Sequence, residues 1–298
     1  MPPGGVVFVP HEEILRIEEI ETIVKAATSI GVRKIRLTGG EPLMRKGLEE
    51  LIRLINAIPN IKDIALTTNG LLFPSRATAL KNAGVRRVNI SLDTLRSDRY
   101  REITRGGDLA KAWDGINTAL EYGFNPVKLN TVVMHGFNHD EVVDIARLTL
   151  EKPLHIRFIE LMPVGKDIDY TTSRFVPTQT VMEQISEQLG ELLPAQKPEG
   201  GGPAKYFHLA DAAGTIGFIT SISEHFCHEC NRLRLTSTGF LRPCLYGSNE
   251  IDLKTPLRQG AGVADIADLI KEAVRQKIDR HHMLDGWTDQ RVMSQIGG

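Results

Sequence analysis

Strand patterns and helix patterns alternate along the first half of this 298-residue sequence, and this alternation restricts its fold more than any other feature. Apolar-rich runs that begin near residues 34, 64, 88, 127 and 155 have the composition of strands, and helical periodicity fills the segments between them. Alternating strands and helices favour a parallel sheet with right-handed crossovers. We therefore predict an α/β fold whose sheet curls into a whole or partial barrel.

The repeat opens on a helix pattern over residues 11–30, whereas a βα repeat should open on a strand. Upstream of this helix, the only apolar run is Val6–Val9, which Pro10 follows directly. This run is either a very short strand or a loop. We favour a loop, so that the first barrel strand is missing. The edge of the next strand, Lys34–Thr38, should then be exposed and prone to aggregation.

Long polar side chains alternate with apolar ones along the predicted strands. These polar positions are Lys34, Arg36, Thr38, Asn89, Ser91, Asp93, Lys128, Asn130 and Arg157. In a packed barrel the interior positions hold branched apolar side chains instead. We interpret the polar set as the lining of a wider interior that binds a charged ligand. The alternative places these side chains on the outside, beneath the helices, where parallel strands are normally apolar.

Glycines and polar residues follow the carboxyl ends of several predicted strands, where the active sites of barrels lie. The segments are Gly39–Pro42, Thr67–Asn69, Ser91–Asp93 and Glu160–Met162. Glycine lets the backbone approach a ligand closely, and a carboxylate can accept hydrogen bonds from an amino group. A Gly-Gly-Glu-Pro turn is a weak signal by itself, so these segments indicate only where a ligand would lie.

All three cysteines lie in one short segment of the second half: Cys227, Cys230 and Cys244. Their odd number, and a start without a signal-peptide pattern, make a structural disulfide an unfavoured interpretation. Three thiolates can hold three irons of a cubane cluster, and zinc completed by His225 or His228 is an equal alternative from the spacing alone. Arg232 and Arg234 indicate an anionic ligand, such as a phosphate, beside the metal.

The composition is that of an ordinary globular protein, with 41% hydrophobic and 24% charged residues. The net charge of −1 gives no basic footprint for nucleic acid. No apolar run approaches the roughly 18 residues that a membrane span requires. We therefore expect a cytoplasmic protein without nucleic-acid or membrane partners.

The second half leaves the repeat where Gly165, Thr171–Ser173 and Pro177 interrupt its pattern. We predict a barrel domain over residues 1–170 and an α+β region that carries the cysteines over residues 171–298. The elements predicted in this region are a helix over 178–190, a Pro- and Gly-rich loop over 194–203, a strand over 215–221, a hairpin through 236–239 and a helix over 263–278.

Several motifs together resemble those of the GTP 3′,8-cyclases of molybdenum cofactor biosynthesis, which are radical S-adenosylmethionine enzymes. The motifs are Arg36-Leu-Thr-Gly-Gly-Glu-Pro-Leu-Met-Arg45, Leu66-Thr-Thr-Asn-Gly70, Asn89-Ile-Ser-Leu-Asp93, Arg157-Phe-Ile-Glu-Leu-Met162, the cysteine trio with its Asn-Arg-Leu-Arg, and the final Gly-Gly. The resemblance covers essentially the whole chain. It implies a partial (β/α)6-type radical S-adenosylmethionine barrel, here without its first strand, and a C-terminal α+β iron–sulfur region.

The resemblance also implies roles for individual residues. It implies that Cys227, Cys230 and Cys244 hold a 4Fe–4S cluster whose open iron takes the purine of GTP. The residues that match GTP contacts are Lys34, Arg36, Thr67, Lys128, Arg157, Arg232, Leu233 and Arg234. Those that match S-adenosylmethionine contacts are Gly40, Ser91 and Met162, with Glu41 as the acceptor of its amino group and Asn69 and Asp93 as weaker candidates. The tail, Gly297 and Gly298, is expected to reach into the catalytic pocket.

The implied reaction cyclises GTP to (8S)-3′,8-cyclo-7,8-dihydroguanosine 5′-triphosphate. A 5′-deoxyadenosyl radical removes a hydrogen atom from C3′ of GTP, and the ribose radical then attacks C8 of the guanine. The implied partners are a second copy of the chain, in a homodimer, and the cyclic pyranopterin monophosphate synthase that acts next in the pathway. The alternative is a GTP-binding iron–sulfur protein without catalysis.

The sequence departs from the family at its start. In the family, Cys-x-x-x-Cys-x-x-Cys follows the first strand, holds the cluster that cleaves S-adenosylmethionine and ends in Met-Pro, whereas this sequence opens with Met1-Pro2. Either the true start lies upstream, which we favour, or the chain has lost its radical chemistry. We expect the 298 residues alone to hold one cluster and to be inactive, and a chain that includes the motif to hold the second cluster.

Overall fold

The computed structural model describes residues 9–163, 168–224, 226–247, 249–278, 291 and 293–296. Four features discussed above lie outside the described residues: the apolar run at residues 6–8, Gly165, His225 and the Gly297–Gly298 tail.

Helices and strands alternate through the first 160 residues, as their periodicity predicted. Within the described residues, the helices are α1 (Ile17–Ser29), α2 (Leu48–Ala57), α3 (Phe73–Ala83), α4 (Ser97–Thr104), α5 (Leu109–Glu121), α6 (Val142–Glu151), α7 (Ile168–Ser173), α8 (Thr178–Leu189), α9 (Lys254–Arg258) and α10 (Val263–Arg275). The strands are β1 (Lys34–Leu37), β2 (Asp63–Thr68), β3 (Arg87–Ser91), β4 (Val127–Val133), β5 (Leu154–Glu160), β6 (Leu193–Pro194), β7 (Lys205–His208), β8 (Thr215–Ile219), β9 (Arg234–Leu235), β10 (Phe240–Arg242) and β11 (Ile251–Asp252).

The main sheet is mostly parallel and does not close on itself. Its strand order is β1-β2-β3-β4-β5-β8-β7-β6. Strands β1, β2, β3, β4, β5 and β8 are parallel to one another, β7 pairs antiparallel with β8, and β6 pairs antiparallel with β7. The predicted α/β fold with a partial barrel is therefore confirmed. The strand just before the cysteine segment, β8, pairs with β5, so the C-terminal half of the chain contributes to this sheet.

Helices α2, α3, α5, α6 and α8 cover one face of the sheet. Their buried side chains form a single core with apolar strand positions, among them Ile64, Leu66, Val88, Ile90, Leu129 and Ile156. Because successive side chains of a strand alternate between faces, the polar positions Asn89, Lys128 and Arg157 lie on the opposite face. The alternative that places these side chains beneath the helices is therefore excluded.

A small antiparallel sheet of β9, β10 and β11 carries the segment after the cysteine pair. The predicted hairpin through residues 236–239 joins β9 to β10, and its Gly239 has φ 90°. A Cβ at Gly239 would lie 2.5 Å from Cβ of Lys254, so this turn requires glycine. A second core cluster packs α1 against α10, which ties this region to the start of the chain. Among the described helices, none has the length and hydrophobicity needed to cross a membrane.

Candidate functional site

Cationic side chains converge on the polar face of the main sheet. Lys128 is only 1% exposed, although its chain ends in an ammonium group. Burial, and then the charges of Arg157, Arg87 and Arg36, lower the pKa of Lys128 to about 7. Side chains from β1, β3, β4 and β5 thus share one environment, in which their positive charges repel each other. An anionic ligand would relieve this repulsion.

A hydrogen-bonded chain connects three strands across this face. The Nη2 atom of Arg157 donates to Oδ1 of Asn89 at 2.8 Å, and Nδ2 of Asn89 donates to Oγ1 of Thr67 at 3.1 Å. Arg157 is buried, and burial is the main reason that its pKa is lowered. The chain fixes the Arg157 guanidinium and brings two of the residues expected to bind GTP, Arg157 and Thr67, into one network.

Arg36 lies on the edge strand β1 and is exposed. The atoms around its guanidinium lower the pKa of Arg36 to about 9 by burial, and the charges of Arg157, Arg87 and Arg232 lower it in the same direction. Arg36 therefore belongs to the same cationic cluster and lies on its solvent-facing side. Arg232 comes from the cysteine segment, so that segment faces the same cationic region.

A glycine-rich loop lies against the polar face. The carbonyl oxygen of Glu199 accepts from Nζ of Lys128 at 2.8 Å, and the carbonyl oxygen of Gly200 accepts from Nη2 of Arg87 at 3.3 Å. Gly200 has φ 102°, and a Cβ there would lie 2.2 Å from Cζ of Arg87, so only glycine fits. The next residue, Gly201, comes close to Nζ of Lys34, because its Cβ position is 3.6 Å from that atom.

The residues that match S-adenosylmethionine contacts lie at the carboxyl edge of the sheet. Ser91 is the last residue of β3, Gly40 follows β1 and Met162 follows β5. Since β1, β3 and β5 are parallel, their carboxyl ends share one edge. Ser91 and Gly40 are exposed there, and Met162 is half-buried. The structure thus places these three residues at the carboxyl edge of the sheet, as the sequence predicted.

Glu41 is already engaged in hydrogen bonds at this edge. Its carboxylate accepts from the backbone N–H groups of Leu43 at 3.0 Å and Asn69 at 2.7 Å, and from Oγ1 of Thr68 at 2.7 Å. These bonds join the end of β1 to the end of β2. The expected role of Glu41 as acceptor of an amino group stays a prediction, and it would use the remaining lone pairs of the carboxylate.

Asp93, a weaker candidate, is held just beyond β3. Its Oδ1 accepts from the backbone N–H of Val132 at 2.9 Å. Burial outweighs this bond and raises the pKa of Asp93 to about 6. The second weaker candidate, Asn69, uses its Oδ1 to accept from the N–H of Leu71 at 2.9 Å. Both side chains therefore have a local structural role at the carboxyl edge.

Glu160 connects the end of β5 to the segment that enters the cysteine region. The side chain is 2% exposed, and its carboxylate accepts from the N–H groups of Ile222 at 2.7 Å and Ser223 at 2.9 Å. It also accepts from the Ser223 hydroxyl at 2.6 Å and from both the N–H and the hydroxyl of Thr178, at 3.1 and 2.9 Å. The five hydrogen bonds to this buried carboxylate hold residues 222–223, just before Cys227, against the end of β5.

The three cysteines are free, half-buried thiols. Burial raises the pKa of Cys230, but a hydrogen bond and the charge of Arg232, together with the charge of Lys277, lower it to about 7 overall. Nζ of Lys277 lies 2.6 Å from the carbonyl oxygen of Cys230, 3.0 Å from that of Arg232 and 3.5 Å from Sγ of Cys230. This environment favours the thiolate, which is the form that binds metals.

Arg234 is the first residue of β9 in the small sheet, and its charge interacts with those of Cys230 and Cys244. Burial and the charge of Arg232 lower the pKa of Arg234 to about 10, while Cys230 and Cys244 act in the opposite direction. The guanidinium of Arg232 lies over the Phe226 ring, 5.4 Å from its centroid. Leu233, which lies between the two arginines in the sequence, is half-buried and packs on the core formed by α1 and α10.

The three thiols suit a metal site by their chemistry, although they are not yet gathered into one. Among the described residues, no three Cys, His, Asp or Glu side chains are close enough together to hold a metal ion. His228, one of the alternative zinc ligands, is exposed and lies 3.6 Å from Glu229. Free thiols, one of them favoured as the thiolate, are nevertheless the donor type that an iron–sulfur cluster requires.

Comparisons with known proteins identify the family. Residues 6–149 match the Radical SAM superfamily, and residues 154–283 match Molybdenum Cofactor Synthesis C. The GTP 3′,8-cyclase of Pelotomaculum thermopropionicum is 67% identical over 298 residues, which are 100% of this chain and 92% of the relative. The chain belongs to the GTP 3′,8-cyclase family. A second GTP 3′,8-cyclase, from Desulforamulus reducens, is 53% identical over the same shares of the two chains.

Among solved structures, Streptococcus suis SuiB resembles this member of the GTP 3′,8-cyclase family in fold. The TM-score is 0.55 at 14% identity, and the match covers 80% of this chain and 56% of SuiB. At that identity the likeness supports the fold alone, which is the α/β arrangement described above.

Three features near the site were not predicted from the sequence. Arg87 follows the alternation of Asn89 and Ser91, but the predicted strand began one residue too late to include it. Tyr206 lies on β7, which follows the Pro- and Gly-rich loop and was not predicted as a strand. Lys277 falls within the last predicted helix, 263–278, and was given no role; the structure ends that helix at Arg275.

Proposed function

We propose that this protein cyclises GTP to (8S)-3′,8-cyclo-7,8-dihydroguanosine 5′-triphosphate for molybdenum cofactor synthesis. The observation that supports this most is the convergence of the buried Lys128 and Arg157 with Arg36 and Arg232 on one face of the sheet. Buried cations without enough anions are costly unless a ligand supplies the charge. A nucleoside triphosphate carries that charge, and the relatives are named for their action on GTP.

In this proposal the polar face binds and orients the nucleotide. The residues that would hold GTP are Lys34, Arg36, Thr67, Lys128, Arg157, Arg232, Leu233 and Arg234. Arg157 is pre-organised by its bond to Asn89, so less rotational freedom is lost when a phosphate binds. Arg232 and Arg234 extend the cationic region toward the thiols, where the base would lie at the far end of the nucleotide.

We further propose that Cys227, Cys230 and Cys244 hold one 4Fe–4S cluster. S-adenosylmethionine, bound near Gly40, Glu41, Ser91 and Met162 and supplied with an electron, provides the radical chemistry of this reaction class. The contribution of the chain itself is to hold the ribose beside that edge, to fix the triphosphate and to exclude water. The homodimer, the pathway synthase as a partner, the cytoplasmic location and the domain division at residue 170 stay predictions.

GTP binding should be linked to protonation of Lys128. The pKa of Lys128 is lowered to about 7, so most of this amine is neutral in the free protein at about pH 8. A bound triphosphate favours the charged form and raises that pKa, so binding should take up a proton at about pH 8 and much less at pH 6. GTP affinity should therefore fall as the pH rises through 7. Calorimetric titrations in buffers with different ionisation enthalpies measure this uptake.

Lys128→Met should remove this lysine-linked uptake and weaken GTP binding by about tenfold or more at pH 6, where the parent lysine is charged. The difference between parent and variant separates the lysine from the titration of the phosphate itself. Lys111→Met, which changes an exposed lysine of α5, is the matched control and should alter neither quantity. Equal proton uptake in the parent and the Lys128 variant would contradict the proposed contact.

A further inference from the structure

Three buried hydrogen-bond donors on the polar face have no acceptor. They are the hydroxyl of Tyr206, Nε of Arg157 and Nη1 of Arg87, none of which has a partner of acceptable geometry among the described residues. The Tyr206 side chain is only 6% exposed, and both arginines are buried. Burying a donor without an acceptor is costly, so three such donors on one face indicate a ligand that supplies acceptors.

The strand pairing brings Tyr206 and Arg157 together, and Arg87 is near enough for its charge to lower the pKa of both. Tyr206 of β7 pairs with Gly217 of β8, and Gly217 pairs with Arg157 of β5, so the three residues form one row across the sheet. Gly217 has no side chain, and a Cβ there would lie 2.8 Å from the Tyr206 ring. The ring therefore lies over Gly217, and its hydroxyl lies beside the guanidinium of Arg157. Nζ of Lys128 is 5.7 Å from the ring centroid.

Other nitrogens of both arginines are already bonded, which fixes the orientation of each guanidinium. Nε of Arg87 lies 2.8 Å from both carboxylate oxygens of Asp63, and Nη2 of Arg157 donates to Asn89. The donors that remain are thus held in place by the fold instead of being free to turn toward solvent. Pre-organised donors of this kind are typical of an anion-binding site.

We propose that Tyr206, together with Nε of Arg157 and Nη1 of Arg87, forms the subsite for the terminal phosphate of GTP. This inference rests on the proposed function. Arg87 begins β3, so it lies at the opposite end of that strand from the carboxyl edge. The part of GTP farthest from the reacting ribose is its terminal phosphate, whose oxygens only accept hydrogen bonds. Burial raises the pKa of Tyr206, so the hydroxyl keeps its proton and donates it.

The test compares Tyr206→Phe with the parent for the binding of GTP and of GMP to the reconstituted protein. Phenylalanine removes only the hydroxyl, so the variant should bind GTP about tenfold more weakly, the effect of a lost hydrogen bond to a charged group. GMP has no terminal phosphate of this kind and should bind both proteins equally. Tyr122→Phe, which removes the hydroxyl of an exposed tyrosine after α5, is the matched control and should change neither affinity.

The stability of the protein without nucleotide is a second measurement, which distinguishes a ligand-binding hydroxyl from a structural one. Without nucleotide, Tyr206→Phe should unfold at about the same urea concentration as the parent, because the proton of the buried hydroxyl has no acceptor to lose. A tyrosine with a purely structural hydrogen bond would instead lower that midpoint. Equal GTP affinity in both proteins, or an equal loss for GTP and GMP, would overturn the subsite. If the parent binds neither nucleotide, the proposed function itself fails, and the subsite fails with it.

Discussion

Replacing Cys230 with serine should abolish the 4Fe–4S cluster of the anaerobically reconstituted chain. The Cys230 thiol has its pKa lowered to about 7, so a large fraction is thiolate at neutral pH, whereas a serine hydroxyl stays protonated. The 298 residues contain three cysteines, so the parent should load about four irons per chain and the variant close to none. Iron and sulfide analysis, with electron paramagnetic resonance after reduction, measures both.

The same loss is expected for serine at Cys227 and at Cys244. Glu229→Gln changes an exposed side chain within the same segment and should leave iron loading intact, so it controls for disturbance of the loop. A cluster that survives the loss of any one of the three cysteines would show that the ligands are misassigned. Stoichiometric zinc in place of iron in the parent would do the same.

Glu160→Ala should lower the free energy of unfolding by about 3 kcal/mol or more. The change leaves the N–H groups of Ile222, Ser223 and Thr178 without the buried carboxylate that accepts from them, and hydrogen bonds to a charged group contribute about 1.5–3 kcal/mol each. Urea unfolding of the protein without cluster or nucleotide isolates this effect. Because the carboxylate fixes residues 222–223 just before Cys227, the variant should also reconstitute less iron.

Glu187→Ala is the matched control, since Glu187 lies exposed on α8, the helix that begins at Thr178. It should shift the free energy of unfolding by no more than about 0.5 kcal/mol. If Glu160→Ala unfolds with the same free energy as this control, the five hydrogen bonds to Glu160 do not stabilise the fold as described.

The sequence was sufficient to predict the sheet and the polar face because both follow from simple periodicities. Hydrophobic alternation placed Lys128, Arg157 and Asn89 on one side of their strands, and the structure has the helices on the other. Glycine and polar residues marked the carboxyl edge of the sheet. These are local signals, which require no knowledge of how distant segments meet.

The parts that the sequence did not predict depend on contacts between distant segments. The segment before β7 was predicted only as a Pro- and Gly-rich loop, yet it brings Glu199 to Lys128, 71 residues away. Tyr206 reaches the polar face only because Gly217 leaves room for its ring. The approach of Lys277 to Cys230 likewise follows from the packing of α10 on α1, which neither segment reveals alone.

The most direct test of the proposed GTP cyclisation follows one hydrogen atom. Reconstituted protein is incubated with S-adenosylmethionine, a strong reductant and GTP carrying deuterium at C3′, both as the 298-residue chain and preceded by the Cys-x-x-x-Cys-x-x-Cys segment of the family. We predict that the chain with this segment transfers deuterium to 5′-deoxyadenosine and forms an equal amount of cyclised nucleotide, and that the 298 residues alone do neither. Deuterium that stays in the nucleotide while 5′-deoxyadenosine accumulates, or equal turnover of ATP, would contradict the account.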